Sequence, residues 1–254
     1  MINVENINYS IKNNKILENI SFTINHGDMV SIIGPNGAGK STLVKLLTGL
    51  IKADSGSILL YNKNVYEYKK KDRAKLISYV PQEYNFAVAD LTVEEFTATG
   101  RYPYLDYFGT ITPNQQEKIE YYMNLTNIYP LKNRNISTLS GGEKQRVLIA
   151  AALAQEAEFI ILDEVSSNLD PKIKDDINNL LIKLNNEKKF AVITITHDLN
   201  YSLKAKSKFI CIKNGRLHAF KTHKEMFEEK IFDSLFNMHF DYINYENNEV
   251  IIPK

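Results

Sequence analysis

Cysteine is almost missing from this sequence of 254 residues. The single Cys211 cannot close an internal disulfide, which excludes a disulfide-stapled scaffold; set in the apolar stretch Phe209-Ile-Cys-Ile212, it reads as a core thiol. Long apolar runs are missing too. The longest, Val147 to Ala154, falls far short of the roughly 20 residues a membrane-spanning helix needs. The opening Met-Ile-Asn-Val-Glu has no basic region followed by an apolar core. The chain is therefore expected in the cytoplasm, with any task at a membrane falling to a partner that spans one. Charge of one sign is not in excess: 31 Lys and Arg balance 30 Asp and Glu, and a net +1 leaves no electrostatic footprint of a nucleic-acid binder. Internal repeats and low-complexity segments are absent, and Lys69-Lys-Lys71 reads as a solvated face.

What is present is an ordinary globular composition, 44% hydrophobic and 24% charged, enough for one large domain or two tightly joined subdomains. Residues 1 to 30 alternate apolar and polar through Ile16 to Ile24, predicting short antiparallel strands, and Met29-Val-Ser-Ile-Ile33 follows as a buried strand. Leu43, Leu46, Leu47 and Leu50 then mark one face of a helix. An aromatic-rich stretch over 83–137, broken by Pro103, Gly109 and Pro113, reads as a helical insertion. After it the pattern predicts a helix from Gly142 to about Ala157, the strand Phe159–Leu162, an amphipathic helix through Ile173 to Leu184, and the strand Ala191–Ile195. Strands alternating with helices imply a mostly parallel sheet covered by helices. An Asn214-Gly215 hairpin and one further helix complete the tail.

The chemistry starts at Gly34-Pro35-Asn36-Gly37-Ala38-Gly39-Lys40-Ser41-Thr42, which fits the phosphate-loop pattern G-x-x-x-x-G-K-[ST] between a strand and a helix. Glycines let backbone amides wrap phosphates, Lys40 neutralises their charge, Ser41 can ligate magnesium, and the helix start adds a field that favours anions. This loop alone leaves kinases, GTPases and motors open. Phe159-Ile-Ile-Leu-Asp163-Glu164 places two carboxylates at the C-terminal end of a buried strand, where α/β sheets hold ligands. There Asp163 can complete a magnesium shell and Glu164 can activate a water. Leu139-Ser140-Gly141-Gly142-Glu143-Lys-Gln-Arg146 is either a second anion site at a helix start or a capping box, Ser140 bonding with Glu143.

Taken together and in order, Gly34 to Thr42, Leu139 to Arg146, Asp163-Glu164, Ser167-Asn-Leu-Asp170 and His197 resemble the motif set of ATP-binding-cassette (ABC) ATPases over almost the whole chain. The resemblance implies an α/β P-loop NTPase forming one ABC ATPase domain over 1–254. Residues 1–82 and 138–254 would form a RecA-like core with a mostly parallel sheet and an N-terminal antiparallel β-subdomain, and 83–137 an inserted α-helical subdomain. It implies ATP and Mg2+ as cofactors, and two copies paired head to tail so that the signature Ser140, Gly141 and Gly142 of one close over ATP held by Lys40 of the other. Singly, Gln82 resembles the glutamine that touches magnesium and senses the permease, His197 the switch histidine at the γ-phosphate, Asp170 a further ATP-site residue, and Tyr9 the aromatic that stacks on adenine. The sequence departs from the family pattern at Val165 and Ser166, where Pro and Thr are usual.

Gly100-Arg101-Tyr102-Pro103, Thr196 to Asn200 and the tail Val250 to Pro253 are similar to ATPases of iron-siderophore, haem and cobalamin importers. That similarity implies membrane permease subunits as partners; the aromatic-rich insertion joined directly to Gln82 is the expected docking surface, with Tyr84, Phe86 and the Tyr102 to Phe108 aromatics near or at the contact. It also implies an extracytoplasmic binding protein as an indirect partner, no nucleic acid, and a peripheral place on the inner face of the cell membrane. Alternatives are the ATPase of a zinc or manganese importer or of an exporter, and a non-transport ABC ATPase.

Overall fold

Alternating polar and apolar residues at the N-terminus fold into two long strands rather than several short ones, β1 (Ile2–Ile11) and β2 (Asn14–Ile24), paired antiparallel with Ile2 opposite Ile24. Their buried residues, among them Ile2, Val4, Ile7, Leu17, Ile20 and Ile24, supply the apolar side of this sheet. The computed structural model describes every residue except 83, 85–89, 166–169 and 247, so Phe86, Ser166 and the Ser167 to Leu169 part of the last motif lie outside the described residues. The chain divides into two compact units, one made of residues 1–68 and 185–254, the other of 69–184.

In the first unit, β4 (Ser55–Leu60) pairs antiparallel with the other side of β1, and the short β5 (Lys63–Asn64) with β4, giving the sheet order β2-β1-β4-β5. A second sheet is centred on β3 (Met29–Ile33). It runs parallel both to β8 (Ala191–Ile195), with Ile32 opposite Ile195, and to β9 (Lys208–Lys213), with Ile33 opposite Cys211. All five residues of β8 are buried, and all but Thr194 are apolar, as a strand covered on both faces requires. From β9 the chain turns at Asn214-Gly215, both with positive φ, into the antiparallel β10 (Arg216–Thr222), as the Asn-Gly pair predicts. Helix α1 (Lys40–Leu47) buries Leu43, Val44, Leu46 and Leu47, and α7 (Leu199–Lys204) follows β8.

The tail departs from the sequence reading. Instead of one helix it holds two of six residues each, α8 (His223–Glu228) and α9 (Ile231–Phe236), then a hairpin of β11 (Phe240–Tyr245) and β12 (Asn248–Pro253). Phe209, Phe232, Leu235, Phe240 and Ile251 pack there into one apolar cluster with Cys211. Burial pushes the Cys211 thiol up, so it stays protonated and inert.

In the second unit α2 (Lys70–Leu76) leads into β6 (Ile77–Val80), which pairs parallel with β7 (Phe159–Asp163). Helices α3 (Val93–Ala98) and α4 (Pro113–Leu125) pack on α5 (Gly141–Ala154), whose residues Val147 to Ala154 are all buried. The segment expected as a helical insertion, 83–137, falls inside this unit. Helix α6 runs from Pro171 to Lys188. Among the described residues no helix is long and apolar enough to cross a membrane.

Candidate functional site

The phosphate loop follows β3 without a break, and its glycines answer to three different constraints. A Cβ on Gly34 would stand 1.9 Å from the carbonyl oxygen of Ile212 in β9, so only glycine lets the chain leave the sheet here. Gly39, at φ +104, would put a Cβ 2.7 Å from Leu17 Cδ2 and 3.0 Å from the Ile16 oxygen in β2. Gly37, at φ +76, has open space on its Cβ side and needs only the left-handed backbone. Gly39 is also the N-cap of α1 and offers no side chain to cap it, and no acidic residue occupies the first turn. A helix start that carries no cap side chain and no acid of its own is one whose dipole field favours an anion.

Lys40 is 6% exposed, and its Nζ donates to the carbonyl oxygens of Gly34 at 2.8 Å and Pro35 at 3.1 Å. The ammonium thus lies over the loop it belongs to. Ser41 and Thr42 are half-buried beside it. The register of β3 with β8 puts His197, two residues past Ile195, at the sheet edge where Gly34 stands two residues past Ile32. His197 is exposed; next to it Thr196 Oγ1 accepts from the Asp198 amide at 2.9 Å, and Asp198 caps α7. Tyr9 is half-buried on β1 opposite Leu17, the residue that packs on Gly39. The first unit thus brings Tyr9, Gly34 to Thr42 and His197 together.

The second unit assembles the carboxylates. Asp163, at the end of β7, is 3% exposed, and the phenol of Tyr79 in the neighbouring β6 donates to its Oδ2 at 3.3 Å. Burial, with Asp163 beside it, pushes the Tyr79 phenol up, so it remains a donor. Glu164 follows at φ 51, a left-handed backbone in a residue that is neither glycine nor asparagine. Such a conformation costs roughly 1–2 kcal/mol and is kept where the surroundings over-determine it. Gln82, exposed just beyond β6, donates from Nε2 to Glu164 Oε2 at 2.8 Å.

The two readings of Ser140 to Glu143 are both open to this geometry. Ser140 is a capping box: its Oγ accepts from the Glu143 amide, and Glu143 Oε2 accepts from the Ser140 amide at 2.7 Å and hydroxyl at 2.8 Å. That amide bond, then the hydroxyl, hold the Glu143 carboxyl below its usual range. Ser140 and Gly141 remain exposed, and a Cβ on Gly141 would meet nothing within 4 Å. Asp170 is exposed and caps α6, its Oδ1 accepting from the Lys172 amide at 2.9 Å. Tyr79, Leu17 and Ile212 are the contributors that motif reasoning passes over. Their one signal is being large residues on buried strands, and their partners are far off along the chain.

Comparison with known proteins agrees with this geometry. The family model described as "ABC transporter" matches residues 17–167. The petrobactin import ATP-binding protein FpuC of Bacillus anthracis is 31% identical over 254 residues, covering 100% of this chain and 93% of its own. The ferric enterobactin transport ATP-binding protein FepC of Escherichia coli is 33% identical over 223 residues, 88% of this chain and 82% of its own. Among solved structures, one of an ABC transporter described as of metal-chelate type, in an inward-facing conformation, superposes with a TM-score of 0.84 at 26% identity, covering 100% of this chain and 96% of that one. A dimeric bacterial ABC transporter cassette superposes at 0.78 with 28% identity, covering 88% and 99%. The chain belongs to the ABC transporter family, as one of its ATP-binding, ATP-hydrolysing subunits.

Proposed function

We propose that this chain drives import of a ferric siderophore or a related metal chelate through a separate membrane permease, working as a pair of identical copies. The observation that carries the ATP site is the phosphate loop, packed so closely on β9 and β2 at Gly34 and Gly39 that a Cβ there would clash, with a buried lysine over it. The cargo class rests on the kinship with the petrobactin and enterobactin proteins and on Gly100 to Pro103, Thr196 to Asn200 and Val250 to Pro253. The chain itself would sit at the inner membrane face only through its permease.

The donor set suits magnesium. That ion takes one or two carboxylates and fills its shell with phosphate oxygens and water rather than an all-protein cage. Asp163 is a buried carboxylate that needs a cation or donors around it, and Ser41 and Gln82 add neutral oxygens. No group of three metal-binding side chains occurs among the described residues, which a shell shared with a nucleotide does not require. Bound magnesium supplies charge neutralisation at the β and γ phosphates. Lys40 adds a fixed cation there, and the amides of Gly37 to Thr42 bind phosphate oxygens. Glu164 takes the proton of the attacking water, its carboxylate oriented by Gln82. His197 contacts the γ-phosphate, Tyr9 stacks on adenine, and Ser140 to Gly142 with Asp170 complete the site of the second copy.

The permease docks on the 83–137 segment. In support, Tyr102, Tyr107 and Phe108 are 66%, 97% and 86% exposed, more aromatic surface than one short segment commonly bares without a partner, and Tyr84, packed edge-on against Phe96, is 45% exposed.

Glu164→Gln tests the catalytic assignment. The amide is nearly isosteric, so ATP should still bind while turnover falls by about 10²- to 10⁴-fold, the usual worth of a general base. The pair of copies should then persist with ATP and magnesium in size-exclusion chromatography, whereas the wild type hydrolyses its way back to monomer. Retention of most of the wild-type rate would remove Glu164 from that role.

A further inference from the structure

We propose that Arg101 is the positioning residue of the signature helix α5. It clasps the C-terminal end of α5 to the segment that carries the exposed aromatics, and so sets where Ser140 to Gly142 stand when a second copy closes on them.

The residues of the Gly100 to Pro103 motif divide by direction. A Cβ on Gly100 would lie 2.1 Å from the Ala151 carbonyl oxygen and 3.2 Å from Ala154 Cβ, so the backbone of the 3-10 turn Thr99–Tyr104 rests directly on the last turn of α5. Arg101 is 3% exposed, and its Nη1 donates to the Ala154 carbonyl oxygen at 2.6 Å and to Glu156 Oε2 at 3.0 Å. The carbonyls of a helix's last turn have no intrahelical partner, and a cation there also suits the helix dipole. Glu156 in turn receives Lys118 Nζ from α4 at 2.6 Å and the Tyr122 hydroxyl at 3.3 Å. Burial raises the Glu156 carboxyl, but the Lys118 bond and the Arg101 charge outweigh it and hold the group below its usual range, so it stays an anion. The Tyr104 ring lies 4.1 Å from the Arg101 guanidinium carbon, and Pro103 is buried. Tyr102, between them, points out at 66% exposure, with Tyr107 and Phe108 beyond it.

One short segment therefore grips α5 with Gly100 and Arg101 and faces outward with Tyr102. Helix α5 has 14 residues and is about 21 Å long, with Ser140 at its far end. A packed helix moves as a rigid element, so a shift imposed at the clasp reaches the signature turn. Arg101 is the buried member of the ion pair, so it holds one arrangement firmly: losing Glu156 leaves a buried cation without its carboxylate, while Glu156, partly exposed, keeps Lys118.

This inference rests on the head-to-tail pairing proposed above, and the test separates the two. In the Glu164→Gln background, analytical ultracentrifugation with ATP and magnesium measures dimer affinity, and mant-ATP titration of the monomer measures nucleotide binding. Arg101→Met should weaken the dimer by about fivefold or more, the lower range of a coupling between sites. Mant-ATP affinity should stay unchanged, because the phosphate loop belongs to the other unit. Arg101→Lys, which keeps the cation, should recover part of the loss. Glu156→Gln, at a less buried position, should weaken the dimer in the same sense and serves if Arg101→Met does not fold. Dimer affinity equal to the Glu164→Gln parent in both Arg101→Met and Glu156→Gln overturns the clasp alone, as does a matching loss in mant-ATP binding. Failure of Glu164→Gln itself to dimerise overturns the pairing and the clasp with it.

Discussion

Gly34 and Gly37 stand three residues apart in one loop, yet alanine should act on them very differently. At Gly34 the new Cβ would meet a backbone oxygen of β9 at 1.9 Å, and neither strand can yield without breaking the β3–β9 ladder. Gly34→Ala is expected to cost about 3 kcal/mol or more, as overpacking against backbone does. Gly37→Ala meets nothing within 4 Å and carries only the left-handed penalty, roughly 1–2 kcal/mol. Urea unfolding of the two variants measures the difference, and equal losses would show that the close approach to Ile212 does not matter. Only part of this is legible in the sequence. The motif names the glycines, but what crowds Gly34 is residue 212, and what orients Asp163 is Tyr79, 84 positions away. A pattern read along the chain finds the loop and cannot find its walls.

Turns and caps decide the elements, and here the chain disguises its signals. Among the described residues fourteen that are not glycine adopt positive φ, six of them asparagines, in a sequence with only 11 glycines. Lys230 starts α9 and Asn237 ends it, both left-handed, where a glycine would have announced the boundary. That is why the tail read as one helix and is two with a hairpin. The N-terminal caps are legible by contrast, since Thr or Ser followed three residues on by Glu or Gln recurs at Thr92, Thr112, Ser140 and Thr222. Ser140→Ala and Thr112→Ala should each cost about 1 kcal/mol as lost caps. Only Ser140→Ala should also lower the ATPase rate, which separates the cap from the proposed ATP contact. Acid should act selectively as well. The Glu143 carboxyl lies below its usual 4.5, chiefly through the Ser140 amide. The stability it lends is complete above that value and is lost as pH falls through the lowered one. Gln115 in the box of α4 does not titrate. An NMR titration should show the first turn of α5 loosening below about pH 4.5 while the first turn of α4 holds, and Glu143→Gln should abolish the difference.

At the scale of the whole molecule, the α/β class and the parallel strands follow from alternating apolar strands and amphipathic helices. The order of the strands does not. β3 lies between β8 and β9, more than 150 residues later in the chain, and no local pattern records such a pairing. The same holds for partners: a motif announces ATP, whereas a docking surface is only a set of aromatics until their exposure is known. Tyr104 and Tyr107 look alike in the sequence, but Tyr104 packs on Arg101 and Tyr107 is 97% exposed. The proposed permease contact therefore predicts a sharp separation of effects for the double variant Tyr107→Ser/Phe108→Ser. Both rings lie outside the core and meet each other edge to face at 5.6 Å, so melting temperature and the ATPase rate of the isolated protein should match wild type. Aromatic anchors at an interface are worth about 2 kcal/mol or more apiece when they are hot spots, so attachment to the permease should weaken by tenfold or more. In a strain lacking the native gene, the wild-type chain should restore uptake of labelled ferric siderophore, Lys40→Ala should not, and the double variant should restore little although its ATPase is intact. Full uptake by the double variant would move the docking surface elsewhere on the chain, and normal ferric-siderophore uptake in the deletion strain itself would remove the cargo assignment while leaving the ATPase in place.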